Sequence, residues 1–122
     1  METCYKLTIE YTQQREQFGQ SLSKFQALQH RMVDMFMETE FSKSFLLKVL
    51  ATDDENERTK LIYGLKNQIA KAGKYVGEEA VQLHGGMGVT GEMSVGHYLK
   101  RLLVITNLFG SSDYFLDKYL ES

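Results

Sequence analysis

Residues 55–83 read ENERTKLIYGLKNQIAKAGKYVGEEAVQL, and their periodicity decides the fold. Ile62, Leu65, Ile69, Ala72, Val76, Ala80 and Leu83 recur every three or four positions, which places them on one face of a helix. Lys60, Lys66, Lys71, Lys74, Glu78 and Glu79 fall on its other faces. Gly64, Gly73 and Gly77 each cost such a helix about 1 kcal/mol relative to alanine, so they predict close packing against another helix or a ligand. The polar interval ATDDENERT (51–59) reads as the turn before it, where Thr52 and Glu55 have the spacing of a capping box and the acids favour a helix start.

Working back from that turn, Leu28, Met32, Met35 or Phe36, Thr39, Ser42, Phe45 or Leu46, and Val49 keep the same period. With Ser23 and Gln26 spaced as a second capping box, the pattern predicts a helix over 23–50, roughly 40 Å long. Before Gly19, residues 2–14 carry Tyr5, Ile9 and Thr12 at helix spacing and predict a short amphipathic helix. Downstream, the four glycines of HGGMGVTGE (84–92) take the chain off the helical path. From Val95 onward Tyr98, Leu99, Leu102, Leu103 and Ile105 supply another apolar surface, broken at Gly110 and followed by a terminal helix with Tyr114, Phe115 and Leu116. No strand hairpin or internal repeat is read. The expectation is an all-α, up-and-down four-helix bundle with short accessory helical segments.

The 122 residues suit one domain with a real core. Hydrophobic residues at 43%, charged residues at 25% and the absence of proline describe an ordered globule and argue against disorder. Fourteen basic against sixteen acidic side chains leave a charge of -2, so no overall field points to nucleic acid or an anionic membrane. Cys4 is the sole cysteine, which excludes an intrachain disulfide framework and a multi-cysteine metal site. METCYKLTIEY does not read as a secretory signal, and no run approaches the roughly 20 apolar residues of a membrane span. A soluble, cytoplasmic protein is the expectation.

Two motifs carry candidate chemistry. In HGGMG (84–88), adjacent backbone amides unobstructed by side chains can cradle a pyrophosphate, the alternative being a simple helix-ending turn. The stretch is neither a GxGxxG fingerprint nor a P-loop. In REQFG (15–19), Arg15 can meet phosphate, Phe18 can cover a planar ring and Gly19 lets the chain turn away; singly, Arg15 reads as a surface or interface cation and Phe18 as a core plug.

REQFGQSLSKFQALQHRMVDM (15–35) and AKAGKYVGEEAVQLHGGMGVTGEMSVGHYLKR (70–101), at this separation, resemble the C-terminal helical domain of acyl-CoA dehydrogenases over almost the whole chain. The resemblance implies a four-helix bundle spanning 1–122 that assembles with an N-terminal helical domain and a middle β domain. It implies FAD as cofactor, an acyl-CoA thioester as substrate for α,β-dehydrogenation, and a homo-oligomer or a heteromeric dehydrogenase partner. It assigns Arg15, Gln17, Phe18, Gly19 and Gln26 to the segment approaching FAD bound to a neighbouring subunit. It assigns Gln82, Gly85 and Gly86 to the adenosine and pyrophosphate portion.

The resemblance also implies where the catalytic base would stand. The family often has glutamate immediately before glycine in a segment like YEGTS; here LFGSS (108–112) puts Phe109 or, counted without a gap from Arg101, Gly110 at that position. Neither side chain is a general base, so no catalytic residue is assigned. Some relatives carry the base on an earlier helix, and some mixed assemblies leave one subunit without it. His30, His84 and His97 lack metal-ligand spacing and read as polar, helix-ending and helix-start residues, Cys4 reads as inert packing, and Glu78 with Glu79 as solvated. The readings left open are a flavin-contacting enzyme domain and a non-catalytic helical structural or interaction module.

Overall fold

A computed structural model describes residues 1–90 and 94–122. Gly91 and Glu92, the end of the glycine-rich stretch, lie outside the described residues. Five helices account for most of the chain: α1 (Glu2–Gln14), α2 (Gln26–Ala51), α3 (Glu55–Leu83), α4 (Val95–Asn107) and α5 (Ser112–Glu121). Short 3-10 turns cover Leu22–Lys24 and Gly85–Val89.

Side-chain links set the direction of each helix. Glu2 to Lys43 (2.8 Å) and Thr12 Oγ1 donating to Met32 Sδ (3.3 Å) run α1 antiparallel to α2. Arg31 with Glu79 (2.5 Å) and Gln68 Nε2 donating to a Glu38 carboxylate oxygen (2.9 Å) run α2 antiparallel to α3. Lys66 Nζ donates to the Ile105 carbonyl (2.6 Å), Asn67 Nδ2 to the Ser112 carbonyl (2.8 Å) and Lys60 Nζ to the Ser122 carbonyl (2.6 Å). Helices α4 and α5 therefore descend α3 as one arm broken at 108–111. Counted by arms, the molecule is the expected up-and-down four-helix bundle, with α3 packed against every other helix.

The core follows the period read from sequence. Cys4, Tyr5, Met32, Met35, Val76, Ala80, Leu83 and Val95 form one buried cluster, and Val49, Leu61 and Leu65 a second. Burial of each larger member contributes about 1.5–3 kcal/mol. On α2 the core takes Met35 and leaves Phe36 outward. On α3, Leu65, Ala72, Val76, Ala80 and Leu83 are buried, but Ile62 is 45% exposed and Ile69 only partly buried. The cause is the central position of α3: Ala70, Gly73 and Gly77 are also buried because α4 packs against a second side. A Cβ at Gly77 would stand 2.9 Å from Leu99 Cδ1 and one at Gly73 3.2 Å from Leu102 Cδ2. The glycines thus admit another helix, as their cost predicted.

Three local expectations are corrected. Helix α3 is capped by Asp54, whose carboxylate accepts from the Glu57 amide (2.7 Å), while Thr52 Oγ1 donates back to the Lys48 carbonyl (2.8 Å). Helix α2 starts at Gln26 without a side-chain cap. Ser23 instead sits in the 3-10 turn, its hydroxyl paired with that of Ser21 (2.8 Å). In both cases the hydroxyl that would cap the helix is engaged by another partner. Finally, a two-residue hairpin does form, β1 (Glu16–Gln17) pairing with β2 (Gln20–Ser21). Its sequence lacks apolar alternation, so the period-2 signal is silent.

Replacing Gly77 by valine inserts a branched side chain where α4 touches α3. We expect a loss of about 2 kcal/mol in urea-unfolding stability; an unchanged midpoint contradicts this packing.

Candidate functional site

The hairpin and the end of α3 meet at one end of the bundle. Helix α1 ends because Arg15 turns extended (ψ 123), its amide still donating to the Tyr11 carbonyl (2.8 Å). The Arg15 carbonyl then accepts from Leu22 (2.8 Å), closing the hairpin onto the helix end. Phe18 (φ 54) and Gly19 (φ 78) form its tip, a positive-φ pair of the kind used by type I′ two-residue loops. Such a backbone is costly for phenylalanine. Phe18 is 91% exposed with its ring edge-on to Phe25, so it is not a core plug.

At the other wall, His84 closes α3. Its amide donates to the Ala80 carbonyl (3.2 Å) and its Nδ1 lies 2.7 Å from the same oxygen. Beyond it, Gly85 adopts φ 58, and a Cβ built on Gly85 or Gly86 meets nothing within 4 Å. Gly86 therefore lacks a side chain for no reason of internal packing or positive φ, and its absence keeps space open.

The two walls enclose an open cleft of about 480 Å³ lined by Arg15, Gln17, Gln82, Gly85 and Gly86, among others. Five of the eight residues expected at a cofactor site are thus brought together. Phe18, Gly19 and Gln26 are not in its lining. Of the further lining residues not assigned there from sequence, Tyr11, Arg31 and His84 carry polar groups, and Leu22, Leu28, Leu83 and Met87 are apolar. Tyr11 lies one helical turn before Arg15, a spacing that was legible, whereas Arg31 and His84 enter only through the packing of α2 and α3.

Among the described residues Arg15 has no carboxylate within salt-bridge distance, while Arg31 is held by Glu79, whose hydrogen bond raises the guanidinium's already high pKa. The cleft therefore offers one uncompensated guanidinium beside glycine backbone, a combination suited to anionic oxygens. His84 is only 2% exposed, and burial pushes its pKa below the ordinary value, against the weaker opposing effect of the Ala80 carbonyl. With Nδ1 donating to that carbonyl, the neutral ring keeps Nε2 as an acceptor. Nε2 is buried without a partner among the described residues. Tyr11 stacks on the His84 ring, centroids 4.3 Å apart and planes 26° apart.

Cys4 is fully buried, which raises its thiol pKa and makes it a packing residue. Among the described residues no group of His, Cys, Asp or Glu is placed to hold a metal, and no helix is long and apolar enough to cross a membrane. Phe109 (φ 67, 86% exposed) and Gly110 (φ 139) stand in the break between α4 and α5, which ends at Ser112, the residue bonded to Asn67. Leu83 is sixteen residues from Asn67, which puts this break about 24 Å down α3 from the cleft.

A family model for the acyl-CoA dehydrogenase C-terminal domain matches residues 1–121. The acyl-CoA dehydrogenase IpdE2 of Mycolicibacterium smegmatis is 32% identical over 107 residues, 88% of this chain and 33% of the relative. The mitochondrial isovaleryl-CoA dehydrogenase of Solanum tuberosum is 32% identical over 101 residues, 82% of this chain and 24% of the relative. Among solved structures, butyryl-CoA dehydrogenase from Megasphaera elsdenii superposes with a TM-score of 0.92 at 26% identity, covering 98% of this chain and 32% of that one. The Tcur3481-Tcur3483 steroid ACAD G363A variant gives 0.92 at 28%, covering 98% and 34%. The chain spans about a third or less of the length of these relatives.

The buried imidazole has a direct consequence for stability. Unfolded, it takes a proton near pH 6.5, whereas the folded ring resists doing so. The unfolded state therefore binds more protons as pH falls below about 6.5, and stability declines there. Urea unfolding between pH 8 and pH 5 should show this decline in the parent and a smaller one in His84→Phe; equal slopes contradict the assignment.

Proposed function

The chain belongs to the acyl-CoA dehydrogenase family through its C-terminal domain, and from that premise we propose that it is the FAD-contacting and oligomerisation domain of an acyl-CoA dehydrogenase acting on acyl-CoA thioesters. The observation carrying this reading is the convergence of Arg15 and Gln17 with Gln82, Gly85 and Gly86 on one cleft. FAD, when bound, supplies the redox capacity that ordinary side chains lack.

The residues present fit that cofactor. The Arg15 guanidinium suits phosphate oxygens, the open space at Gly86 leaves room for a ligand against the backbone, and the two glutamine amides orient polar groups. Phe18, held outward by the hairpin, is free to cover an apolar ring that another subunit holds. Gln26, exposed at the first residue of α2, is a contact of the same half-site by resemblance alone.

The cleft is open on its outer side, so its enclosure comes from other domains or another subunit. That agrees with the outward apolar residues Val33, Met37, Phe41 and Leu47, on the side of α2 opposite Met35 and Ser42. A helix apolar on two faces is suited to burial on both. We assign this second face to association with a second copy or a dehydrogenase partner, and N-terminal helical and middle β domains to the remainder of the enzyme. Phe109 favours a second reading, a non-catalytic helical module, because the break between α4 and α5 carries no base at that position.

Two outcomes are expected. Anaerobic mixing of the purified chain with FAD and a panel of acyl-CoAs should give weak flavin binding and no substrate-dependent bleaching; rapid bleaching by the chain alone contradicts the incomplete site. In the assembled enzyme, Gly86→Ala should weaken FAD affinity about tenfold, or 1.4 kcal/mol, without lowering Tm; unaltered affinity contradicts the cradle.

A further inference from the structure

The cleft has a feature that its phosphate-directed groups leave unexplained. Tyr11 sits in its lining, half-buried, with one ring face against His84 at 4.3 Å. That pairing is built: His84 is fixed at the helix end by its bond to the Ala80 carbonyl and by burial on all sides. The Tyr11 ring is therefore held in place while part of it stays open to the cleft. Its backbone carbonyl accepts from Arg15, so the ring and the uncompensated guanidinium are carried one turn apart on the same helix end.

A rigid aromatic surface beside a cationic and amide-rich site selects a ligand that combines a flat ring with phosphate. An inorganic anion would use Arg15 and the glycine backbone and gain nothing from Tyr11. We propose that Tyr11 is a stacking platform for the base of a nucleoside diphosphate moiety in this cleft, with His84 as the positioning residue behind it. The proposal rests on the cofactor reading above and deepens it, because it names the residue that tells a nucleotide from a bare diphosphate. The neutral ring of His84 suits this position, since it packs flat on Tyr11 without placing a charge beneath the bound base.

Binding of ADP and of inorganic pyrophosphate to the 122-residue chain, followed by amide chemical shifts over a concentration series, tests this. The parent should bind ADP more tightly than pyrophosphate. Tyr11→Leu should weaken ADP about five- to tenfold and leave pyrophosphate affinity unaltered. Tyr11→Phe keeps the ring and should match the parent for both ligands, which also controls for folding. His84→Leu, which removes the support, should weaken ADP selectively. Equal ADP affinity in the parent and Tyr11→Leu overturns the platform while leaving the phosphate site standing, as does a parent that does not prefer ADP. Failure of the parent to bind either ligand overturns the platform and the cofactor reading together.

Discussion

Everything in this bundle depends on one helix being packed against all the others. Helix α3 meets α1, α2, α4 and α5, and it manages this by presenting small residues where its neighbours approach. Ala70, Ala72, Gly73, Gly77 and Ala80 are all buried. The cost in helix propensity at the two glycines, about 1 kcal/mol each, is offset by the approach of Leu99 and Leu102 from α4. Large residues at those points would separate the α4–α5 arm from the bundle. The same helix delivers Gln82 and His84 to the cleft, so the packing constraint and the site share one element.

How much of this was legible in the residues varies with the physical origin of each feature. Long periodic runs gave α2 and α3 because amphipathicity is local to the chain. The ends were less legible, since Thr52 and Asp54 compete for the same turn and only folded geometry decides that Asp54 captures the Glu57 amide. The hairpin escaped notice because its stability comes from the Arg15 carbonyl and Leu22 amide closing onto α1, not from alternation within two-residue strands. Of the cleft lining, Arg15, Gln17, Gln82, Gly85 and Gly86 were singled out from paired motifs. The one-turn spacing of Tyr11 from Arg15 was open to reading, but its stacking on His84 was not, because it joins positions 73 residues apart in sequence and exists only after α1 has packed on α3.

Two phenylalanines are held at positive φ and almost fully exposed, Phe18 at the hairpin tip and Phe109 between α4 and α5. Neither contributes to the core, and each sits in backbone that an L side chain adopts at a cost. Phe109 is presented by a prepared mount: Lys66 holds the end of α4 and Asn67 the start of α5. The molecule thus offers contact residues at two stations along α3, about 24 Å apart. On the reading proposed above, the first station is a cofactor half-site, and the second is a turn whose Phe109 and Gly110 carry no base.

The central claim is that the cleft between the hairpin and the glycine turn receives the phosphate-bearing part of FAD. Titrating FAD into the isotope-labelled chain and following every backbone amide tests it most directly. The account predicts that the largest saturable shifts fall on Arg15 to Gln17 and on Gln82 to Met87, with α5 unaffected. Shifts concentrated on the outward face of α2 or on α5, or no saturable change at Gly85 and Gly86, would contradict it.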